Sequence, residues 1–185
     1  MAPDSLNLVY WDSPWLRKKA EDHTEITDEV RAFVKAVIYK MTEGDLKTPT
    51  SIPIGLASTQ VQSIYRIFIV CPYQGDDAKE RWGPPKAFIN PKLTDPSDEL
   101  EMMDEGCLSF PLFYLPITRP VSITVEAQDI NGKVFKERLS GYYARQVMHE
   151  NDHLNGVVYI DRISKNLRKR LKTDLDKLKK KYENH

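Results

Sequence analysis

Residues 121–156, VSITVEAQDINGKVFKERLSGYYARQVMHENDHLNG, decide how this chain is read. From Val121 to Ala127 the side chains alternate. Val121, Ile123, Val125 and Ala127 fall on one face and Ser122, Thr124 and Glu126 on the other, the period-two pattern of a half-buried strand. Asn131-Gly132 follows, the strongest short hairpin signal, and Val134 to Leu139 supplies the return strand. Gly141 to Asn155 then reads as a helix, with Gly156 just past its end as a C′ glycine.

Working outward, Glu29 to Met41 reads as an amphipathic helix. Val30, Phe33, Val34, Val37, Ile38 and Met41 recur at three- and four-residue steps, and Thr27 is placed to cap it. Thr42 to Pro53 and Gln74 to Pro85 are polar, proline-bearing loops. Ile64 to Cys71 is apolar and β-rich, a buried strand, and Lys86 to Asn90 is a short strand ended by Pro91. Ser164 to Tyr182 is a second long helix, with Leu167, Leu171, Leu175, Leu178 and Tyr182 along one stripe. Strands and helices are segregated rather than alternating, so the class is α+β. The length fits a single domain over residues 1–185, with residues 164–183 as a C-terminal basic helix.

Composition removes several classes. A 41% hydrophobic, 29% charged chain is globular rather than disordered. The formal net charge of zero argues against a whole-molecule DNA-coating or lipid-coating role. No apolar run approaches the roughly 20 residues that span a bilayer, and Met1 to Lys19 lacks the apolar core of a secretory signal, so the expected location is the cytoplasm, without membrane attachment. Only two cysteines occur, Cys71 and Cys107, which argues against a disulfide framework.

The chemistry concentrates in His149-Glu150-Asn151-Asp152-His153. On a helix, residues four apart share a face, so both imidazoles reach one cation, while Glu150 lies one step round, close enough to touch a bound water. Two histidines do not complete a hydrolytic site, which usually has three protein ligands and one open position. Downstream, Asp161, Asp174, Asp176, Glu183 and the terminal His185 are poor third ligands. Upstream, Cys107 in Glu105-Gly106-Cys107-Leu108-Ser109 offers a soft thiolate, and Gly106 lets backbone approach a ligand closely. A single cysteine is more often a buried structural thiol, and that reading of Cys107 stands beside the ligand one. Cys71, in an apolar strand without polar company, takes the structural reading.

Taken together, these segments resemble the three motifs of the peptide deformylases. Those are a glycine-rich segment ending in Gln, a Glu-Gly-Cys-apolar-Ser segment, and a His-Glu-x-x-His helix, in that order. Glu105 to Ser109 matches the second fully. His149 to Gly156 matches the third except at Asn151, where the family usually has an apolar residue. Pro53 to Gln60 aligns with the first, with Pro53 in place of a glycine and Ser58 in place of an alanine. The resemblance covers nearly the whole chain and implies antiparallel β-sheets around a central metal-binding helix.

It further implies removal of the N-formyl group from the formyl-methionine of nascent polypeptides. Cys107, His149 and His153 would ligate one divalent metal, commonly Fe(II), with Zn, Ni or Co able to take the same ligands. Glu150 would be the base, and Gln60 with the Leu108 N–H would stabilise the oxyanion. Ile54, Gly55, Glu105 and Gly106 would bind the peptide, and Asp152 would pair with Arg119, twelve residues beyond the cysteine. The basic tail from Lys165 to Lys181 reads as a solvated helix face, or, as in long-tailed bacterial relatives, a ribosome contact. The substitutions at Pro53, Ser58 and Asn151 support a rival reading, a metal- and peptide-binding relative with lost or altered turnover. A general zinc peptidase is disfavoured by the upstream cysteine and the lack of a convincing downstream ligand.

Overall fold

The computed structural model describes residues 6–11, 13–23, 25–44, 53–76 and 81–182. Parts of the two loops expected from the sequence (45–52 and 77–80), together with Glu183 and His185, lie outside the described residues. Seven strands and four helices follow in the order α1 (Asp28–Thr42), β1 (Gly55–Ala57), β2 (Ile67–Val70), β3 (Lys86–Thr94), β4 (Leu100–Cys107), β5 (Phe110–Pro120), β6 (Ser122–Gln128), β7 (Val134–Ser140), α2 (Gly141–Leu154), α3 (Lys165–Arg170) and α4 (Lys172–Tyr182). They form an antiparallel five-stranded sheet, ordered β1-β2-β3-β6-β7, and a separate two-stranded ribbon, β4-β5. This is an α+β fold.

Burial explains why β2 is a continuous apolar run. Ile67 and Ile69 face α1, where they meet Val30, Phe33, Val34, Val37 and Met41. Phe68 and Val70 face the other way, onto Ala144, Val147, Met148 and Leu154 of α2. A strand with helices on both faces has no polar side to show, so alternation disappears. A third cluster packs the inner face of the β4-β5 ribbon, through Leu115 and Ile117, against Val158, Tyr159 and Ile160.

Several elements depart from the pattern reading. β3 does not stop at Pro91; it runs to Thr94 through an irregularity between Ile89 and Lys92, where Asn90 takes φ +50°. A bulge tolerates a proline because the ladder bond is already lost there. β2 starts at Ile67 rather than Ile64. The β6–β7 connection is a five-residue loop, 129–133, rather than a two-residue turn. Asp129 Oδ1 accepts from the Asn131 and Lys133 N–H groups at 2.8 and 2.9 Å, with Gly132 left-handed at φ +82°. The C-terminal helix divides at Leu171 into α3 and α4; Leu175 is buried, and the side chains of Leu178 and Tyr182 lie outside the described residues. Thr27 caps α1 as expected, its Oγ1 accepting from the Val30 N–H at 3.4 Å.

The N-terminal segment runs past all three motifs. The Val9 N–H donates to the Gln60 carbonyl at 2.9 Å, Trp11 to Ser109 at 3.0 Å and Ala20 to Leu154 at 2.8 Å. It passes so close to the end of α2 that a Cβ on Gly156, at φ +70°, would lie 2.6 Å from the Arg17 carbonyl oxygen. Gly156→Ala therefore combines a strained backbone with a backbone collision. We expect a loss of about 2 kcal/mol or more, seen as a drop of about 4 °C or more in Tm; a wild-type melting curve would contradict this packing.

Candidate active site

α2 projects His149, Glu150 and His153 toward the end of β4, where Cys107 sits. One ligand atom each from Cys107, His149 and His153 lies within 4.8 Å of the others, the only such group among the described residues. Cys107 Sγ is 3.3 Å from His153 Nε2. His149 turns Nδ1 to Glu105 Oε2 at 3.0 Å, which leaves its Nε2 for the shared point. A thiol and two imidazoles so gathered suit a divalent transition metal, and the carboxylate behind His149 is the usual device for fixing the tautomer of a ligating histidine. Cys71, the other free thiol, is buried in the apolar core away from this group.

Glu150 stands beside the ligands at the wall of the cleft. It is 6% exposed, and its Oε2 is buried with no partner. An unpaired buried carboxylate oxygen is costly unless something is meant to fill the space before it. Burial pushes the Glu150 carboxyl up to about 7, against the opposing pull of His149. Burial likewise holds His153 well below its ordinary value, helped by the charges of His149 and Arg119, so it is neutral and ready to coordinate. Burial opposes protonation of His149, but hydrogen bonds to Cys107 and Glu105 lift it to about 10 without a cation, so a cation must displace that proton to bind.

Gln60 is oriented by its own turn. Its Oε1 accepts from the Ala57 N–H at 2.9 Å, so its amide nitrogen points at Cys107 Sγ (3.4 Å) and Ser109 Oγ (3.1 Å). Leu108, Ile54, Gly55 and Gly106 line a cavity of about 600 Å³ that also reaches Glu150 and the ligands. The Ile54 carbonyl is already taken by the Cys71 N–H at 2.9 Å. In an antiparallel ladder the next residue turns its N–H and C=O the other way, so Gly55 offers both groups at the outer edge of β1, the first strand of the sheet. Gly55 must be glycine: a Cβ there would lie 2.3 Å from Glu150 Oε1.

Glu105, expected from the resemblance at the peptide, instead has its carboxylate fully engaged behind the ligands. It accepts from Arg119 at 2.6 and 2.9 Å, from Arg145 at 2.7 Å and pairs with His149. Burial works to raise the Glu105 carboxyl, but Arg119 and His149 outweigh it and hold it well below the usual carboxylate range. Arg119 also reaches Asp152 at 2.8 Å, and Asp152 accepts in turn from Arg162 Nε at 2.6 Å. Pattern reading missed Arg145 and Arg162. Arg145 carried a usable signal, a charge four residues before His149 and hence on the same buried helix face.

The substitutions relative to the family motifs are each absorbed locally. The Ser58 hydroxyl donates to the Tyr65 carbonyl, and Asn151 Oδ1 accepts from Arg66 at 3.4 Å. The Pro53 carbonyl faces Cys71 Sγ at 3.8 Å.

A Cys-His-His group beside a buried carboxylate at a cleft of this size is an arrangement suited to metal-assisted hydrolysis. The family model for polypeptide deformylase matches residues 5–169. The peptide deformylase of Bradyrhizobium diazoefficiens is 34% identical over 169 residues, 91% of this chain and 92% of the relative. The crystal structure of peptide deformylase from Thermotoga maritima superimposes with a TM-score of 0.73 at 35% identity, covering 86% of this chain and 97% of that one. Arabidopsis thaliana peptide deformylase 1B, solved with an inhibitor, gives 0.78 at 34% identity, covering 96% and 92%. The chain belongs to the polypeptide deformylase family, whose members are metal-dependent.

Removing Arg119 takes one partner from each of two buried carboxylates, leaving Glu105 with Arg145 and His149 and Asp152 with Arg162. Arg119→Ala is expected to cost about 3–5 kcal/mol in urea unfolding. A carboxyl held low stabilises fully above its ordinary value of 4.5 and loses that contribution as the pH falls below it, so the variant should show a shallower acid dependence than wild type. Unchanged stability and acid profile would contradict the ion network.

Proposed function

We propose that this chain hydrolyses the formyl amide at the N-terminal methionine of a nascent polypeptide, releasing formate and the free amine. The observation that carries the reading is the unpartnered oxygen of Glu150, buried beside three metal-ligand side chains at the head of a cleft edged by the Gly55 backbone. In this reading Cys107, His149 and His153 hold one divalent cation, Fe(II) in the cell, with Zn, Ni or Co able to substitute; when bound it supplies Lewis acidity that acidifies water and polarises the formyl carbonyl.

The rest is work for the chain's own residues. Gly55 pairs with the extended substrate as a neighbouring strand would and holds the formyl end at the ligands. Ile54 and Gly106 shape the cleft against the peptide, while Glu105 acts from behind by fixing His149. Glu150 accepts the proton of the attacking water, for which a carboxyl raised toward 7 is suited. As the carbonyl oxygen gains charge, the Gln60 side-chain amide and the Leu108 N–H donate to it; losing one such donor costs about 2.7–4 kcal/mol of barrier. Glu150 then passes its proton to the departing amine nitrogen. The rival, a binding protein without turnover, is disfavoured: Ser58 and Asn151 are satisfied away from the ligands, and Pro53, which lines the cleft, alters its rim and leaves Gln60, Cys107, His149, Glu150 and His153 all in place.

We treat residues 1–185 as one catalytic domain acting in the cytoplasm. We also read the exposed Lys165, Arg168, Lys169, Arg170 and Lys172 as a ribosome contact, an RNA-facing charge cluster on helices that bury little besides Leu175.

The test is formate release from formyl-Met-Ala-Ser by metal-loaded protein. Glu150→Ala should retain metal and lose about 10²–10⁴-fold in kcat, Cys107→Ala should lose metal and activity together, and Gly55→Ala should fall by about 10²-fold through displacement of Glu150. A Glu150→Ala protein turning over at the wild-type rate would sink the assignment.

A further inference from the structure

The β4-β5 ribbon has an outer face that no other described element covers with apolar partners. Across the pairing Met102↔Thr118 and Asp104↔Pro116, opposed residues share a face, so Leu100, Met102, Pro116, Tyr114 and Leu112 all project outward. Leu100 is 60% exposed, Met102 68%, Tyr114 67% and Leu112 84%, four of the seven large hydrophobics that the described chain leaves exposed. Scattered exposed hydrophobics are ordinary, but a contiguous set on one ribbon marks a contact surface.

Two features tie this face to the cleft. Leu112 and Tyr114 belong to the cavity lining, so the exposed face starts at the mouth of the site and runs past Pro116 and Asp104 to Met102 and Leu100. Leu112 also sits at φ +60°, a conformation that disfavours any residue bearing a Cβ. A bulky side chain held in strain and almost fully in solvent is not there for packing.

Resting on the deformylase reading, we propose that the outer face of the β4-β5 ribbon is a track for the downstream part of the substrate, which holds apolar side chains at about the fourth to sixth residues of the nascent chain. Along β4, Met102 lies about 13 Å and Leu100 about 20 Å from Gly106, the span of four to six extended residues. Asp104 on the same face, with Asp98 and Glu99 just before the strand, turns acidic segments away. The track raises substrate affinity rather than the rate of the chemical step.

The experiment compares kcat/KM for formyl-Met-Ala-Ser, formyl-Met-Ala-Ser-Leu-Leu-Phe and formyl-Met-Ala-Ser-Asp-Glu-Asp on wild type, Met102→Glu and Leu100→Glu. Burying one such side chain partway is worth about fivefold, so wild type should favour the apolar hexapeptide over the tripeptide by about that factor, through KM alone. The acidic hexapeptide should show no gain. Both variants should keep the tripeptide value and lose the apolar preference. In a binding assay with the deformylated apolar hexapeptide, the same variants should weaken its affinity by a similar factor. Equal kcat/KM for all three peptides, or a preference that survives both variants, overturns the track. Concentration-dependent dimers of wild type that Met102→Glu dissolves would assign the face to a second copy and overturn it too. Wild type that cannot process even the tripeptide would overturn the deformylase reading itself, a distinct result.

Discussion

Most of the site hangs on one buried carboxylate. Glu105 lies near the end of β4 and is held by Arg119 from β5, by Arg145 and by His149 from α2, so a single side chain joins the ribbon to the metal helix. The charges continue in alternation through Asp152 to Arg162, so no member is left alone in the interior. Buried ion pairs of this kind are expensive to desolvate and contribute little net stability. What they provide here is orientation. With Nδ1 of His149 fixed on Glu105, its other nitrogen is turned toward Cys107 and His153.

The second constraint is proximity between β1 and α2. Gln146, one turn before the ligands, donates to the Ile54 and Cys71 carbonyls at 3.3 and 3.0 Å and accepts from the Tyr73 N–H. The edge strand that would receive the peptide is thereby bolted to the helix that carries the base. The absence of a side chain at Gly55 is what lets Glu150 stand directly against that edge. In the proposed reaction, the tightness of this contact sets where the formyl group sits relative to Glu150.

Legibility varied along the chain for physical reasons. α1 and the β6–β7 pair were readable because each has one buried and one solvated face, which writes a period into the sequence. α2 is buried on nearly every side and was readable instead from its His-Glu-x-x-His spacing and the glycine just past its end. The β4-β5 ribbon was not. β4 is dense with acids, of which Glu105 finds its partners in distant arginines, and β5 carries Pro111, Pro116 and Pro120, residues that ordinarily argue against a strand. A two-stranded ribbon tolerates them because much of its backbone has no further strand to bond. The extent of β3 past Pro91 was hidden for a related reason, the bulge beside that proline. Of the site, the ligand and base residues stood out as a spaced motif and Arg145 shared their helix face, whereas Arg162 and the lacing N-terminal segment had no local signature.

By itself the sequence determined the α+β class, the helix that bears His149, Glu150 and His153, and the family whose chemistry those residues serve. These are local properties, set by side-chain periodicity and by residue types a few positions apart. Only the tertiary structure decided that the Glu105 carboxylate is spent on Arg119, Arg145 and His149, that the Ile54 carbonyl is spent on the Cys71 N–H, and that Leu112 and Tyr114 stand exposed in the lining of the cleft. Each of those depends on groups far apart in the chain competing for the same partner, and such competition is settled by packing, which no single stretch of sequence records.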